Sequence, residues 1–356
     1  MNTQGDKIIT DLDLYLSFEY NDFLVFKGRQ MMIVKVIAAL GILLGSIPIP
    51  ASAPAGEASP ERLKAHYGQV MFYYPPYEAV VLFGTMGDDP AARVQPWKWN
   101  GRGWEPVEME TPPFRAWTAM AYDTRRQRLV VFGGKDKTQK GYPDFWEWDG
   151  DEWSTPAVKT PPGRSHHAMA YDESRGRVVL FGGHDLKLIL GDTWEWDGTE
   201  WRQAASPGPP SRCLHTMIYD SSRKKILLVG GSGDSDNEII YSDAWEWDGA
   251  AWSELKPRNP LKRSFHAMVY DGSARCPLVC GGFASSHDPV ADSWRWRDGE
   301  WKKVEPGLPL PLEGLLMAFD PERKQTILFG GFGGAKDKYP PNEKTWVWDG
   351  KMWTGY

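Results

Sequence analysis

One tryptophan triplet, W-x-W followed five positions later by a third Trp, occurs six times in this chain and limits what it can fold into. The copies are Trp97, Trp99 and Trp104; Trp146, Trp148 and Trp153; Trp194, Trp196 and Trp201; Trp245, Trp247 and Trp252; Trp294, Trp296 and Trp301; and Trp346, Trp348 and Trp353. They account for all but one of the 19 tryptophans; Trp117 stands apart. Ahead of each triplet an apolar segment ends in glycine, at Gly84, Gly133, Gly182, Gly230, Gly281 and Gly330, with spacings of 49, 49, 48, 51 and 49. A fixed period of this length marks one supersecondary unit repeated along the chain. Such a unit cannot bury two apolar faces alone, so the copies must stack on one another.

Each unit reads as four short strands, A to D, best seen in the third copy. There RSHHAMAYDESRGRVVLFGG runs from Arg164 to Gly183, and WEWDGTEW from Trp194 to Trp201. Strand A alternates apolar and polar residues, while strand B is a near-continuous apolar run, the pattern of a strand covered on both faces. Residues two apart on a strand share a face, so the W-x-W pair points one way from strand C. WDGxxW is a tight hairpin, with Asp and Gly supplying the turn before strand D. Met71, Met120, Met169, Met217, Met268 and Met317 occupy one position in all six copies. Residues that recur in every copy serve the fold, so these thioethers are expected to pack between neighbouring units.

The double glycine after an apolar strand, the aromatic third strand and the Trp that opens the fourth closely resemble the kelch repeat over residues 66–353. The resemblance implies an all-β fold, a six-bladed kelch-type β-propeller with four antiparallel strands per blade. The repeats run over about 66–104, 115–153, 164–201, 212–252, 263–301 and 312–353. The H-A-M-A-Y-D and D-T-W-E-W-D-G strings are similar to those of exported bacterial kelch proteins of unassigned role. In kelch folds strand A lines the central channel, strand D is outermost, and partners commonly bind at a channel mouth. The end copies deviate most: Thr85 follows Gly84 where the others double the glycine, and Leu312 and Leu315 stand where inner copies have Arg and His. With so short a last strand, residues 57–65 are candidates to complete the sixth blade.

The 41 basic and 47 acidic side chains give a net charge of −6, with no block of Lys or Arg. That argues against nucleic acid or an anionic membrane as partner. From Val36 to Ile47 an apolar run follows Lys35, meets Pro48 and ends in Ala51-Ser52-Ala53, the three-part form of a secretory leader. The run is too short to leave a stable membrane span. We therefore expect residues 31–55 to be a signal peptide, 56–356 the propeller, and the protein to be exported, periplasmic or secreted. Residues 1–30 carry Asp6, Asp11, Asp13, Glu19 and Asp22, out of character for a leader. They read as an upstream extension or a mis-assigned start, with Met31 or Met32 as initiator; an intact mass that retains them would refute this. Cys213, Cys276 and Cys280 do not make a disulfide framework. The last two are about 13 Å apart along a strand, and Cys280 fills the slot of Phe181.

Candidate functional residues are those that vary within the fixed frame. Immediately before strand A the six copies carry Gly68, Trp117, His166, Leu214, Phe265 and Gly314. Trp117, His166 and Phe265 are candidate ligand contacts at the channel mouth, weighed against a plain capping role. Lys135, His184, Asp185, Ser232 and Phe283 begin the loops on the same face, and His184 joins the candidate set. Arg115, Arg164, Arg212 and Arg263 open strand A in the four inner copies, which also carry Asp144, Asp192, Asp243 and Asp292. An ion pair within each blade is the first reading, with the glycine pair making room for the guanidinium; a ligand-contacting arginine ring is the second. His167, His215 and His266 start strand A in successive blades. Zinc needs nitrogens about 2 Å from the ion, closer than adjacent blades bring them, so a structural role is favoured. Asp234, Asp236, Asn237 and Glu238 lack the full calcium-loop pattern and read as a solvated acidic loop. Glu313 is the one carboxylate entering strand A and the sole candidate base.

No G-x-S-x-G, phosphate loop or metal-ligand cluster appears, and no cofactor is expected. The chain is unlike kelch-containing copper oxidases, lacking a Tyr/His copper set with a partner Cys. The leading expectation is a monomeric exported binding protein for a protein, peptide or glycan ligand. Some exported kelch propellers are sugar epimerases or mutarotases, the enzymatic alternative; a structural envelope assembly protein is the third.

Overall fold

The computed structural model describes residues 63–84, 95–109, 111, 115–136, 141–185, 187–205, 207–285, 288–333 and 340–356. The expected leader and upstream extension, and Thr85, lie outside them. Six four-stranded antiparallel sheets follow one another along the chain. Blade one is β1 (Val70–Tyr74), β2 (Ala79–Phe83), β3 (Trp97–Trp99) and β4 (Trp104–Pro106); blade two is β5 (Ala119–Asp123), β6 (Arg128–Phe132), β7 (Phe145–Trp148) and β8 (Trp153–Ser154). Blade three is β9 (Ala168–Asp172), β10 (Arg177–His184), β11 (Ile189–Trp196) and β12 (Trp201–Gln203); blade four is β13 (Thr216–Asp220), β14 (Lys225–Val229), β15 (Ala244–Trp247) and β16 (Trp252–Leu255). Blade five is β17 (Ala267–Asp271), β18 (Cys276–Cys280), β19 (Ser293–Arg297) and β20 (Glu300–Val304); blade six is β21 (Glu313–Asp320), β22 (Gln325–Phe332), β23 (Trp346–Trp348) and β24 (Trp353–Gly355). The first strand of each blade packs beside the first strand of the next, and β1 lies beside β21, which closes a six-bladed propeller.

The second strands are buried on both faces: Val178, Val179, Leu180 and Phe181 have no exposed surface. Between blades two and three, Val130 and Phe132 pack against Met169, Val178, Leu180, Trp196 and Trp201. Equivalent clusters join blades three to four and four to five, with Met217 and Met268 in the same place. The methionines thus pack between blades as expected. Truncating a tryptophan so placed, such as Trp196 or Trp247, costs about 3–5 kcal/mol. Cys280 pairs with Ala267 as Phe181 pairs with Ala168, the substitution read from the sequence. All three cysteines are free and buried.

The doubled glycine has a different purpose from the one expected. A Cβ on Gly182 (φ +64°) would lie 2.5 Å from the Arg212 carbonyl of the next blade, and one on Gly183 would lie 2.7 Å from the Ser165 carbonyl of its own. Gly133, Gly230 and Gly281 likewise face the carbonyls of Arg164, Arg263 and Leu312. The space is left for the neighbouring backbone rather than for the guanidinium. Into that gap the second glycine donates a hydrogen bond: Gly134 N–H to Arg164 O at 2.8 Å, Gly183 to Arg212 O at 2.9 Å, Gly231 to Arg263 O at 2.8 Å and Gly282 to Leu312 O at 2.8 Å.

Polar groups also couple the blades. Asp172 Oδ1 accepts the Ser174 and Arg175 amides, and its Oδ2 accepts Arg175 Nε at 2.7 Å. Arg175 reaches Glu195, whose Oε1 accepts the Trp247 indole of the following blade at 2.8 Å. Arg126 and Glu147 repeat this, with Trp196 donating to Glu147 at 2.9 Å. In blade five Ala274 takes the arginine position, and Arg295, standing where Glu147, Glu195 and Glu246 stand elsewhere, donates to Asp271 at 2.8 Å.

The sixth blade is completed by β24 itself, paired to β23. Of the expected closing segment 57–65, residues 57–62 lie outside the described residues and 63–65 form no strand; Ala65 packs with Leu82 and Phe329 at the junction of blades one and six. Trp104 Nε1 donates to Thr345 Oγ1 at 2.8 Å across that junction, as Trp252 donates to Thr193 at 2.8 Å between blades three and four. Ring closure therefore uses the same contact as the internal joints. Among the described residues no helix is long and apolar enough to cross a membrane.

Candidate functional site

The six variable positions before the inner strands share one backbone state. Gly68, Trp117, His166, Leu214, Phe265 and Gly314 have φ of 79°, 62°, 55°, 55°, 58° and 61°. For an L-residue the left-handed region costs about 1–2 kcal/mol, and a bulky aromatic there needs surroundings that impose it. A chain of backbone hydrogen bonds does so. Trp117 N–H donates to Gly68 O at 3.4 Å, His166 to Trp117 O at 3.2 Å, Leu214 to His166 O at 3.2 Å, Phe265 to Leu214 O at 3.0 Å and Gly314 to Phe265 O at 2.9 Å. The inner strands are thereby linked blade to blade around the axis, and their side chains are turned to the channel mouth.

These side chains meet there. Trp117 stacks on His166 (4.5 Å between centroids) and lies 5.4 Å from Phe265. Tyr67 adds a fourth ring, 5.7 Å from Trp117, 5.8 Å from Phe265 and 3.5 Å from Phe332. Beside this cluster is a cavity of about 230 Å³, lined by Trp117, His166, Leu214, Phe265 and the first residues of the inner strands. The loop-starting residues form a rim, because each pairs with the residue entering the inner strand: Lys135 with Ala116, His184 with Ser165, Ser232 with Cys213, Phe283 with Ser264. Glu313 pairs with Phe332 in the same way. Glu313 is buried and accepts a hydrogen bond from Tyr67 Oη at 3.3 Å.

Of the sequence candidates, Trp117, His166, His184 and Phe265 are brought together. His184 lies 6.0 Å from His166, edge to face. The arginines lie within the blades. Arg164 has no exposed surface; it donates to Asp192 Oδ1 at 2.6 Å and Oδ2 at 2.9 Å, to Gly182 O at 3.0 Å and to Pro162 O at 3.1 Å. Arg212 repeats this with Asp243 at 2.6 and 2.7 Å, and Arg263 pairs with Asp292. Arg115 meets Asp144 at 3.2 Å and covers the Tyr142 ring at 4.1 Å. The ion pair expected in each inner blade is present. Burial raises the Asp192 carboxyl, but the Arg164 hydrogen bonds and charge hold it below the ordinary range.

His167, His215 and His266 line the cavity wall, packed into the notch left by the preceding blade's glycine. Burial, reinforced by Arg164 and Arg263, lowers His167 and His266 to about 3. Burial and Arg212 hold His215 well below its ordinary value. The three imidazoles are neutral. Among the described residues no group of three or more His, Cys, Asp or Glu side chains is placed to hold a metal. Asp234 accepts the Glu238 and Ile239 amides of its own loop, each at 3.0 Å.

Two mouth residues escaped the sequence reading. Tyr67 precedes Gly68 at the position of Ala116 and Ser165, and Phe332 follows Gly331 at the position of His184 and Phe283. Extending the repeat alignment one residue past the doubled glycine finds Phe332; aligning the residue before the variable slot finds Tyr67.

A closed six-bladed ring with irregular side chains gathered at one mouth defines a propeller of the interaction type. The family model described as the KLHDC2/KLHL20/DRC7 Kelch-repeats domain matches residues 78–282, more than half of the chain. The chain belongs to the kelch-repeat family, whose propellers generally bind protein partners. No curated protein matches it.

Proposed function

We propose that this chain is an exported recognition module that holds a peptide or glycan against the aromatic mouth formed by Trp117, His166, Phe265 and Tyr67. The observation that carries the reading is the run of four non-glycine residues kept in the left-handed region (Trp117, His166, Leu214 and Phe265). The turns between first and second strands hold Glu78, Gln127, Lys224, Arg275 and Lys324 in the same state, but at the mouth the residues so fixed include two large aromatic rings that meet each other, which suits a ligand clamp because the contact groups are set before binding. Glycine at the equivalent positions of blades one and six leaves the mouth asymmetric and gives a ligand an orientation.

A thermal-shift screen of the mature chain against sugars and peptides tests this, because a ligand of the folded state raises its apparent stability. Trp117→Ala or Phe265→Ala is expected to weaken any hit about tenfold or more, the loss of ~1.4 kcal/mol of contact. Hits that bind both variants unchanged place the site elsewhere. Glu313, buried beside Tyr67, supports a second, enzymatic reading: turnover of a bound sugar that disappears in Glu313→Gln.

A further inference from the structure

On the face opposite the mouth, where the first strand of each blade turns into the second, we propose that the corner of blade five docks an acidic segment of a protein partner. Arg275 and Arg297 hold it, with Lys324 of blade six beside them. The site is independent of the mouth.

This corner departs from its counterparts by exchange of four side chains. In blades two and three the turn supplies Arg126 and Arg175 to Glu147 and Glu195 of the third strand, while Arg128 and Arg177 open the second strand paired to Asp149 and Asp197. Blade five carries Ala274 and Cys276 in place of those arginines, and Arg295 and Arg297 in place of those acids. A charge-neutral group thereby becomes a cationic one. Asp271 matches Arg295 at 2.8 Å, but among the described residues no carboxylate is paired with Arg297 or Arg275. The Cys276 thiol is buried and raised chiefly by that burial, so it adds no negative charge.

The backbone gathers the unmatched cations. Leu278 stands opposite Arg295 in the ladder, which sets Arg297 opposite Cys276. The Arg297 guanidinium donates to Ala274 O at 3.2 Å, the carbonyl of the peptide that leads into Arg275. Both arginines are exposed. The turn of the next blade touches the same loop: Ser273 Oγ donates to Lys324 O at 3.4 Å, and Lys324 is exposed.

Blade five also gives up a structural acid here. In four other blades an Asp at the position of Arg297 caps the turn into the fourth strand: Asp149, Asp197, Asp248 and Asp349 each accept the amides two and three residues on. An arginine has no acceptor. The turn closes instead on Asp298 and Gly299, both at positive φ, with Arg297 paired to Glu300 in the ladder. The exchange leaves an exposed guanidinium that serves neither cap nor ion pair, and its planar fork matches a carboxylate in two hydrogen bonds. Acids in the same two blades limit what fits. Asp298 and Glu300 lie beside Lys302, and Glu322 accepts Tyr73 Oη at 3.1 Å. A membrane surface or a nucleic acid would press further phosphates against these carboxylates, whereas a short run of Asp or Glu meets the cations alone.

Fluorescence anisotropy of the whole chain with labelled hexaglutamate, set against hexaglutamine, tests the proposal. At ~0.05 M salt the acidic peptide should bind at least about tenfold more tightly, and the preference should shrink towards ~0.3 M as the charges are screened. Arg275→Gln and Arg297→Asp should each reduce it. Cys276→Arg combined with Arg297→Asp rebuilds the ion pair of blade three, so it should keep the fold and abolish the preference. Lys187→Gln, which alters an exposed lysine on the mouth face, should leave it unchanged. Equal binding of the two peptides, a preference that survives in Arg275→Gln or the rebuilt double variant, or one lost equally in Lys187→Gln overturns the site. Arg297-dependent binding to phosphatidylglycerol vesicles or a single-stranded oligonucleotide that exceeds binding to hexaglutamate overturns the choice of an acidic protein segment.

Discussion

Breaking the buried ion pair of blade three should separate it sharply from its counterpart in blade two. Arg164 places four hydrogen bonds, two of them on Asp192, with no guanidinium surface exposed and the carboxylate 20% exposed. Arg164→Met leaves that carboxylate with the Trp194 indole but no counter-charge, and two carbonyls without the guanidinium, which should cost about 3–5 kcal/mol. Asp192→Leu alone leaves a buried guanidinium and should cost a similar amount. The double variant removes both charges, so much of the loss should return, giving a coupling of about 2–3 kcal/mol. Arg115 and Asp144 share one contact at 3.2 Å with side chains 18% and 31% exposed, and their coupling should stay below about 1 kcal/mol. Guanidinium chloride unfolding followed by tryptophan fluorescence and far-UV circular dichroism measures both cycles, and coincident transitions establish that a single free energy applies. Equal couplings in the two blades, or a coupling near zero for Arg164 and Asp192, would refute the reasoning.

Acid should weaken the fold through His167, His215 and His266. Their folded values are depressed while the unfolded imidazoles titrate near 6.5, so protons bind the unfolded chain first as pH falls. Stability should drop by ~1 kcal/mol per pH unit for each histidine from about pH 6.5 towards 5, and replacing all three by Gln should flatten that slope in denaturant titrations. Gly182→Ala should cost at least about 3 kcal/mol because of the Arg212 carbonyl, whereas Gly299→Ala, with φ +77° but nothing within 4 Å, should cost only ~1 kcal/mol. Similar melting losses at the two sites would dismiss the notch argument. In blade five Arg295→Glu sets a carboxylate beside buried Asp271 and should cost about 3 kcal/mol; adding Ala274→Arg should restore most of it by rebuilding the arrangement of blades two to four. A double variant no more stable than the single one would show that the exchange is not compensatory.

The fold was legible because its determinants are periodic. Trp196 and Trp247, Met169 and Met217, and Gly182 and Gly230 each do one job in one register, so counting copies recovers strands, blades and ion pairs together. What lay between blades was less legible. The glycine gap belongs to the next blade's carbonyl, and the link from Arg175 through Glu195 to Trp247 crosses a joint that no single repeat displays. The completion of blade six by β24 also depends on packing against blade one, which sequence spacing does not encode. At the mouth, Trp117, His166 and Phe265 stood out because they vary where everything around them repeats. Tyr67 and Phe332 stayed hidden because their positions fall just outside the motif that defines a copy.

The chain of amide-to-carbonyl bonds from Gly68 to Gly314 makes the mouth a set of six sockets. The backbone adopts the same left-handed turn whether the socket holds glycine, leucine, histidine or an aromatic ring. Occupants can therefore be exchanged at a cost of about 1–2 kcal/mol each for the turn, without reshaping the strands behind them. One scaffold can acquire a new specificity a blade at a time through the four sockets that carry side chains, whereas a Cβ at Gly68 would lie 2.8 Å from the Trp117 amide nitrogen and one at Gly314 2.9 Å from the Phe265 ring, so those two sockets are closed by their neighbours.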